Sequence, residues 1–182
     1  MTEKEILELI ENDKWMMDVL KRAEKLNLSD WLIGAGFVRN KVWNHMSGRK
    51  TEYLDATDID LVYFDPTIEN DQERDEQLMQ TLHAETGLDW ELRNNAYNYK
   101  SDTRSIYVSA YDVIAAWPET VTAVGVRIEN GVLKLIAPYG IDDIVSFIVR
   151  PSPKYMDGIE RIKTRIQKKK WLEKWPNLTI KL

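Results

Sequence analysis

Asp58 and Asp60 are separated by one isoleucine in the run Asp58-Ile59-Asp60-Leu61-Val62-Tyr63-Phe64, whose other members are apolar strand formers. In an extended chain, residues i and i+2 project to the same face, which brings the two carboxylates close enough to share one or two Mg²⁺ ions. Two like charges on one strand face are costly to desolvate unless a cation compensates them. The competing reading is a solvated strand start, with Asp58 capping the preceding loop and Asp60 facing water. A second feature precedes the pair: Gly34-Ala35-Gly36 follows the apolar Trp31-Leu32-Ile33 and opens a helix. Free backbone N–H groups at a helix start attract phosphate, and Arg39, one turn in, offers a forked donor to a triphosphate. Tight strand-to-helix turns also favour glycine for conformation alone, and a surface salt bridge would account for Arg39 equally well. The turn lacks the third glycine of a dinucleotide fingerprint and no Gly-Lys-Ser/Thr is present, which excludes Rossmann and P-loop sites.

The elements that must hold these residues follow from periodicity. Residues 3–26 carry apolar side chains near a 3.6-residue period, with Thr2 as a cap, and predict one helix. Residues 31–33 predict a short buried strand, residues 37–46 a helix closed by Gly48, and residues 58–64 a strand stopped by Asp65-Pro66. In that strand Ile59, Leu61 and Tyr63 face one way, and Asp58, Asp60, Val62 and Phe64 the other. A charged amphipathic helix over 69–86, ended by Gly87, leads to a strand over 88–94 with Glu91 and Arg93 on one face and Trp90 and Leu92 on the other. Residues 95–104 read as an exposed loop and 109–116 as a short helix. Residues 122–128 and 132–136 form a hairpin around Asn130-Gly131, and helices are predicted over 142–149 and 157–174. The order is that of an α/β or α+β domain with a mixed sheet. The expected division is a domain over 1–150, including the N-terminal helix, and a C-terminal helical extension over 151–182 packed on it.

Composition narrows the chemistry. The chain has 182 residues and no cysteine, so disulfides, thiolate metal sites and thiol nucleophiles are excluded. Only His45 and His83 carry imidazole, and both fall on helices, so a hard, oxygen-bound metal is the kind expected. No stretch approaches the roughly 18 apolar residues of a membrane span, and the N-terminus lacks the order of a signal peptide, which predicts a cytoplasmic protein. The net charge is −5, yet residues 150–175 hold nine basic and three acidic residues. That basic end could meet a polyanion or balance the acidic body. Trp171 and Trp175, four apart within it, either dock the last helix on the body or stack on single-stranded RNA.

Taken together, Ala35-Gly36-Phe37-Val38-Arg39-Asn40, Gly48-Arg49 and Asp58-Ile59-Asp60-Leu61 resemble the Gly-Gly-x-Val-Arg-Asp, Gly-Arg and Asp-x-Asp pattern of the head domain in class II CCA-adding enzymes and bacterial poly(A) polymerases. These belong to the nucleotidyltransferase superfamily that includes DNA polymerase beta. The later runs Trp117-Pro118-Glu119-Thr120, 122–127 and 137–143 resemble a smaller bacterial family of nucleotidyltransferase-like proteins, and that likeness spans nearly the whole chain. The resemblance implies a nucleotidyltransferase fold in which Asp58 and Asp60 bind Mg²⁺, and Gly34, Ala35, Gly36 and Arg39 hold the triphosphate of an NTP. It also implies a third carboxylate from a neighbouring strand, for which Glu91 is the candidate; Asp65 and Asp55 rank lower. The implied reaction is Mg²⁺-dependent transfer of a nucleoside monophosphate to an acceptor hydroxyl on an RNA end, a protein or a small molecule. The alternative is a non-catalytic nucleotide- or RNA-binding module of the same fold. Asn40 stands where the pattern has Asp, and the chain has no room for the neck, body and tail that grip tRNA, which argues against CCA addition itself.

Overall fold

The computed structural model describes residues 1–49, 58–68, 72–98 and 103–182. Two helices lead the chain, α1 (Glu3–Glu11) and α2 (Lys14–Lys25). Thr2 and Glu5 form a capping box on α1. The single helix expected over 3–26 is interrupted because Asp13 turns out of the helix and caps α2, its side chain accepting from the Met16 N–H. The apolar period carries on across the break, so both helices still bury one stripe: Ile6 and Ile10, then Met16, Val19, Leu20 and Ala23.

Strand β1 (Leu32–Gly34) passes through the glycine turn into α3 (Gly36–Met46), and β2 (Asp58–Tyr63) follows. Helix α4 (Gln72–Thr86) ends at Gly87, at φ 66°, and leads to β3 (Asp89–Asn94). The expected loop after it contains a small antiparallel pair, β4 (Tyr97–Asn98) and β5 (Thr103–Arg104). Helix α5 (Ala110–Ala115), capped by Ser109, precedes the hairpin β6 (Gly125–Glu129) and β7 (Val132–Ile136). Asn130 and Gly131 both take positive φ, 51° and 75°, as a tight primed turn demands.

The main sheet has the order β3-β2-β1-β6-β7, parallel between β2 and β3 and antiparallel elsewhere. Its alternation separates two layers. Ile33, Ile59, Leu61, Tyr63, Trp90 and Leu92 join the large core under the helices, whereas Leu32 and Val62 meet Val113 and Ile114 of α5 on the opposite face. Gly34 lies on that second face, where an added Cβ would stand 2.7 Å from the Trp117 ring and 2.9 Å from the Val124 carbonyl oxygen. Glycine is therefore what lets Trp117 lie flat beside the end of β1.

The C-terminal third departs most from expectation. Helix α6 (Asp142–Val145) is a single turn, and Phe147, at φ 54°, redirects the chain into β8 (Ile148–Val149), which pairs in parallel with β9 (Thr179–Ile180). The helix expected over 157–174 is instead a 3₁₀ segment, α7 (Ile159–Lys168) and the short α8 (Trp171–Lys174), broken at Lys170 in the left-handed conformation, φ 52° and ψ 41°. The break turns Trp171 and Trp175 into the core, each 1% exposed, against Trp43 of α3 at ring-centroid distances of 5.7 and 4.9 Å. The Trp175 indole N–H donates to Asn44 and that of Trp43 to the Ile144 carbonyl, which fixes both ends of the cluster. The tryptophans dock the basic segment. No helix among the described residues is long and apolar enough to cross a membrane.

Candidate functional site

The parallel register of β2 and β3 sets Asp58 opposite Asp89, Asp60 opposite Glu91 and Val62 opposite Arg93. Asp58 and Asp60 share the α5 face of β2, and Glu91 stands beside Asp60 on the same face of β3. A carboxylate oxygen from each of Asp58, Asp60 and Glu91 lies within 4.8 Å of the others. Burial pushes the Asp60 carboxyl up to about 7, with the negative charges of Asp58 and Glu91 adding to the shift and Lys169 and Arg39 opposing it. Burial and the two neighbouring carboxylates thus both disfavour the charged form of Asp60. Three hard oxygen donors at this spacing fit a divalent cation such as Mg²⁺ and do not fit zinc's preference for nitrogen and sulfur.

The glycine turn stands across the cleft from these carboxylates. Ala35 adopts φ 53° and ψ −120°, a conformation natural to glycine, and its N–H is taken by the Val124 carbonyl. Among the described residues no side chain caps α3, and Gly36, its first residue, lines the cleft, so the helix start is a place where an anion could be received. Ala35, Gly36, Arg39, Asp58, Asp60 and Glu91 all line one cleft of about 590 Å³, within the size range of small-ligand sites. Gly34 does not line it; its part is the seat it leaves for Trp117, which does.

Arg39 is neither a surface residue nor a simple salt bridge. It is 3% exposed, with Nε and Nη2 donating to Asn40 Oδ1 at 3.1 and 3.0 Å and Nη1 to Thr122 Oγ1 at 2.8 Å. Its guanidinium stacks 4.3 Å above the Trp171 ring. Burial lowers its proton affinity to about 10, while the charge of Glu119 opposes the loss. Thr122 passes the network on, donating to Glu119 Oε2 at 2.7 Å, and Arg165 of α7 donates from Nε to Glu119 Oε1 at 2.9 Å. Glu119 is wholly buried. Asn40, which departs from the carboxylate of the sequence pattern, still supplies the acceptor that orients Arg39.

Sequence reasoning missed Glu119, Thr122 and Arg165 as parts of the site. They lie 80 or more residues after Arg39, and the sequence signals were that Glu119 and Thr122 belong to the Trp117-Pro118-Glu119-Thr120 and 122–127 runs and Arg165 to the basic segment. Other candidates are engaged elsewhere. Asp65 accepts from Thr67 in a local turn; within the runs 122–127 and 137–143, Arg127 pairs with Asp30 and Glu129, and Asp143 accepts from Thr120 and pairs with Arg150. His45 and His83 are exposed, His83 beside the Leu88 carbonyl. Asp55 lies outside the described residues.

The fold has close relatives in shape. A solution structure described as revealing a CCA-adding enzyme head domain superposes with a TM-score of 0.84 at 37% identity, over 99% of this chain and 96% of that one. A CCA-adding enzyme in complex with CTP gives a TM-score of 0.57 at 14% identity, and a tRNA nucleotidyltransferase with primer tRNA and an incoming ATP analogue gives 0.53 at 15%. This chain spans 42% and 46% of those two proteins, and the likeness to them is one of fold. Among curated proteins no match to this chain was found. Residues 21–180 match a family described as nucleotidyltransferase, and with that span the chain belongs to a nucleotidyltransferase family.

Proposed function

We propose that the protein transfers a nucleoside monophosphate from an NTP to an acceptor hydroxyl in a Mg²⁺-dependent reaction, in the cytoplasm. The observation that carries this reading is the convergence of Asp58, Asp60 and Glu91 within 4.8 Å in the same cleft as the Gly36 helix start. When bound, Mg²⁺ supplies Lewis-acid activation of the hydroxyl and charge compensation on the leaving pyrophosphate. Asp58 and Asp60 would hold it, with Glu91 as third ligand, and the register of β2 and β3 sets Asp60 beside Glu91. The open N–H groups at the start of α3 receive phosphate oxygens. Arg39 has three of its donors committed to Asn40 and Thr122, so it acts as a held positive charge beneath the site. In the transfer, the acceptor oxygen bonds to the α-phosphorus, the bond from that phosphorus to the bridging oxygen breaks, and the hydroxyl proton passes to water. A second hollow of about 430 Å³ shares Asp60, Glu91 and Trp117 with the cleft and gives the acceptor, an RNA end, a protein or a small molecule, its approach.

Titration calorimetry with ATP, CTP, GTP and UTP in Mg²⁺ tests the first half, and label transfer from α-³²P NTPs into a cell extract tests the second. Asp58→Ala and Asp60→Ala are expected to cut labelling by about 100-fold or more, the scale of removing several kcal/mol of transition-state charge stabilisation. Unchanged labelling in both variants, or no NTP bound by the wild type, overturns the reading.

A further inference from the structure

The cleft is unevenly charged. Besides the three carboxylates it is lined by six cationic side chains, and five of them, Arg165, Lys168, Lys169, Lys170 and Lys174, come from the C-terminal segment. Like charges do not gather on one wall without cost, and a divalent cation among the carboxylates would leave the excess of positive charge larger still. The species that balances both is an anion of several charges lying between the carboxylates and the helix. Meanwhile the arginine of the glycine-turn motif is buried with most of its donors spent.

We propose that the C-terminal segment forms the polyphosphate-binding wall of the nucleotide site, with Arg165, Lys168 and Lys169 contacting the β and γ phosphates opposite the first turn of α3. The proposal rests on the reading of the cleft as an NTP site. Three observations support it. The wall is held rigidly: Trp171 and Trp175 are buried, Arg49 donates to the Lys174 carbonyl, and Arg165 is anchored through Glu119 while its side chain stays 30% exposed. Lys169 already reaches the cluster, its Nζ standing 3.9 Å from Asp58 Oδ2. Lys168 makes no ion pair among the described residues and is exposed toward the same cleft. Lys169 thus stands as a counter-ion for Asp58 and would be free to turn toward the phosphates if a divalent cation took its place.

The test is calorimetric titration of wild type and of the Lys168→Ala/Lys169→Ala variant with MgATP, magnesium tripolyphosphate and AMP, with near-ultraviolet circular dichroism to verify that the tryptophan cluster is retained. Both positions are exposed, so the fold is expected to persist. The wild type is expected to bind ATP and tripolyphosphate far more tightly than AMP, and the variant to lose about tenfold or more for both polyphosphates with AMP unchanged, the scale of losing a charged contact. A parallel titration of Mn²⁺ alone is expected to show tighter binding in the variant, because the competing ammonium is gone. Equal ATP affinity in variant and wild type overturns the wall. So does a variant that loses affinity for a single-stranded RNA oligonucleotide while keeping that for MgATP. If tripolyphosphate binding depends on Lys168 and Lys169 but no nucleotidyl label is ever transferred, the wall stands and the transferase reading falls.

Discussion

At the scale of single residues, the site is a balance of buried charges that no one residue could sustain. Arg39 tolerates its 3% exposure because Asn40, Thr122 and Trp171 replace its hydration and Glu119 supplies the opposite charge. Arg165 opposes Arg39 electrostatically and is held on the same carboxylate. Removing that carboxylate leaves two guanidinium groups without the negative charge that balances both. Glu119→Ala is therefore expected to cost about 3–5 kcal/mol in urea unfolding, the range for stranding a buried charge. A loss below about 1 kcal/mol, the scale of an exposed pair, would show the network to be solvated and incidental. The Asp pair was legible in the sequence because a period of two leaves no freedom in which face each residue takes. Glu119 was not: a buried acid beside Trp117-Pro118 looks like any loop carboxylate until the chain folds it against a residue 80 positions earlier.

At the scale of elements, the long apolar periods predicted where helices and strands exist but not where they break. The period runs unbroken through Asn12-Asp13 and through Lys169-Lys170, yet in both places the chain leaves the helix. The cost of a break is one or two kcal/mol of local conformation, and burial of two tryptophans repays it several times over. Lys170 bears such a cost, because its left-handed conformation at the end of α7 is one that glycine adopts freely. Lys170→Gly is expected to raise stability by roughly 0.5–1 kcal/mol, read as an upward shift in the thermal midpoint. A lower midpoint would mean that the lysine side chain contributes more to the fold than its backbone costs it. The same logic explains α6: Phe147 at positive φ ends the helix so that β8 can pair with β9, a parallel contact between residues 31 apart that no local pattern announces.

At the scale of the molecule, the mixed sheet with helices on its faces followed from the order of elements, and the shape agrees with the head-domain relative over nearly the full length. What sequence could not supply was the closing of the cleft by the C-terminal segment, since this depends on where the tryptophans find room in a core assembled from α3 and α6. One consequence reaches beyond the chemistry of the cleft. Among the described residues β3 is an edge strand, joined to the sheet through β2, and the register places Glu91 beside Asp60. When both are ionised, repulsion between those two side chains opposes the pairing of β3, whereas a shared divalent ion, acting as a clasp, would offset it. Backbone amides at 90–94 are thus expected to exchange with deuterium more slowly once Mg²⁺ is added, while those of the distant β6–β7 hairpin keep their pace. Equal exchange at 90–94 with and without the ion would refute the clasp. If it holds, an ion bound for the proposed transfer would also be a seam in the fabric of the protein, and withdrawing magnesium would loosen its margin as well as its centre.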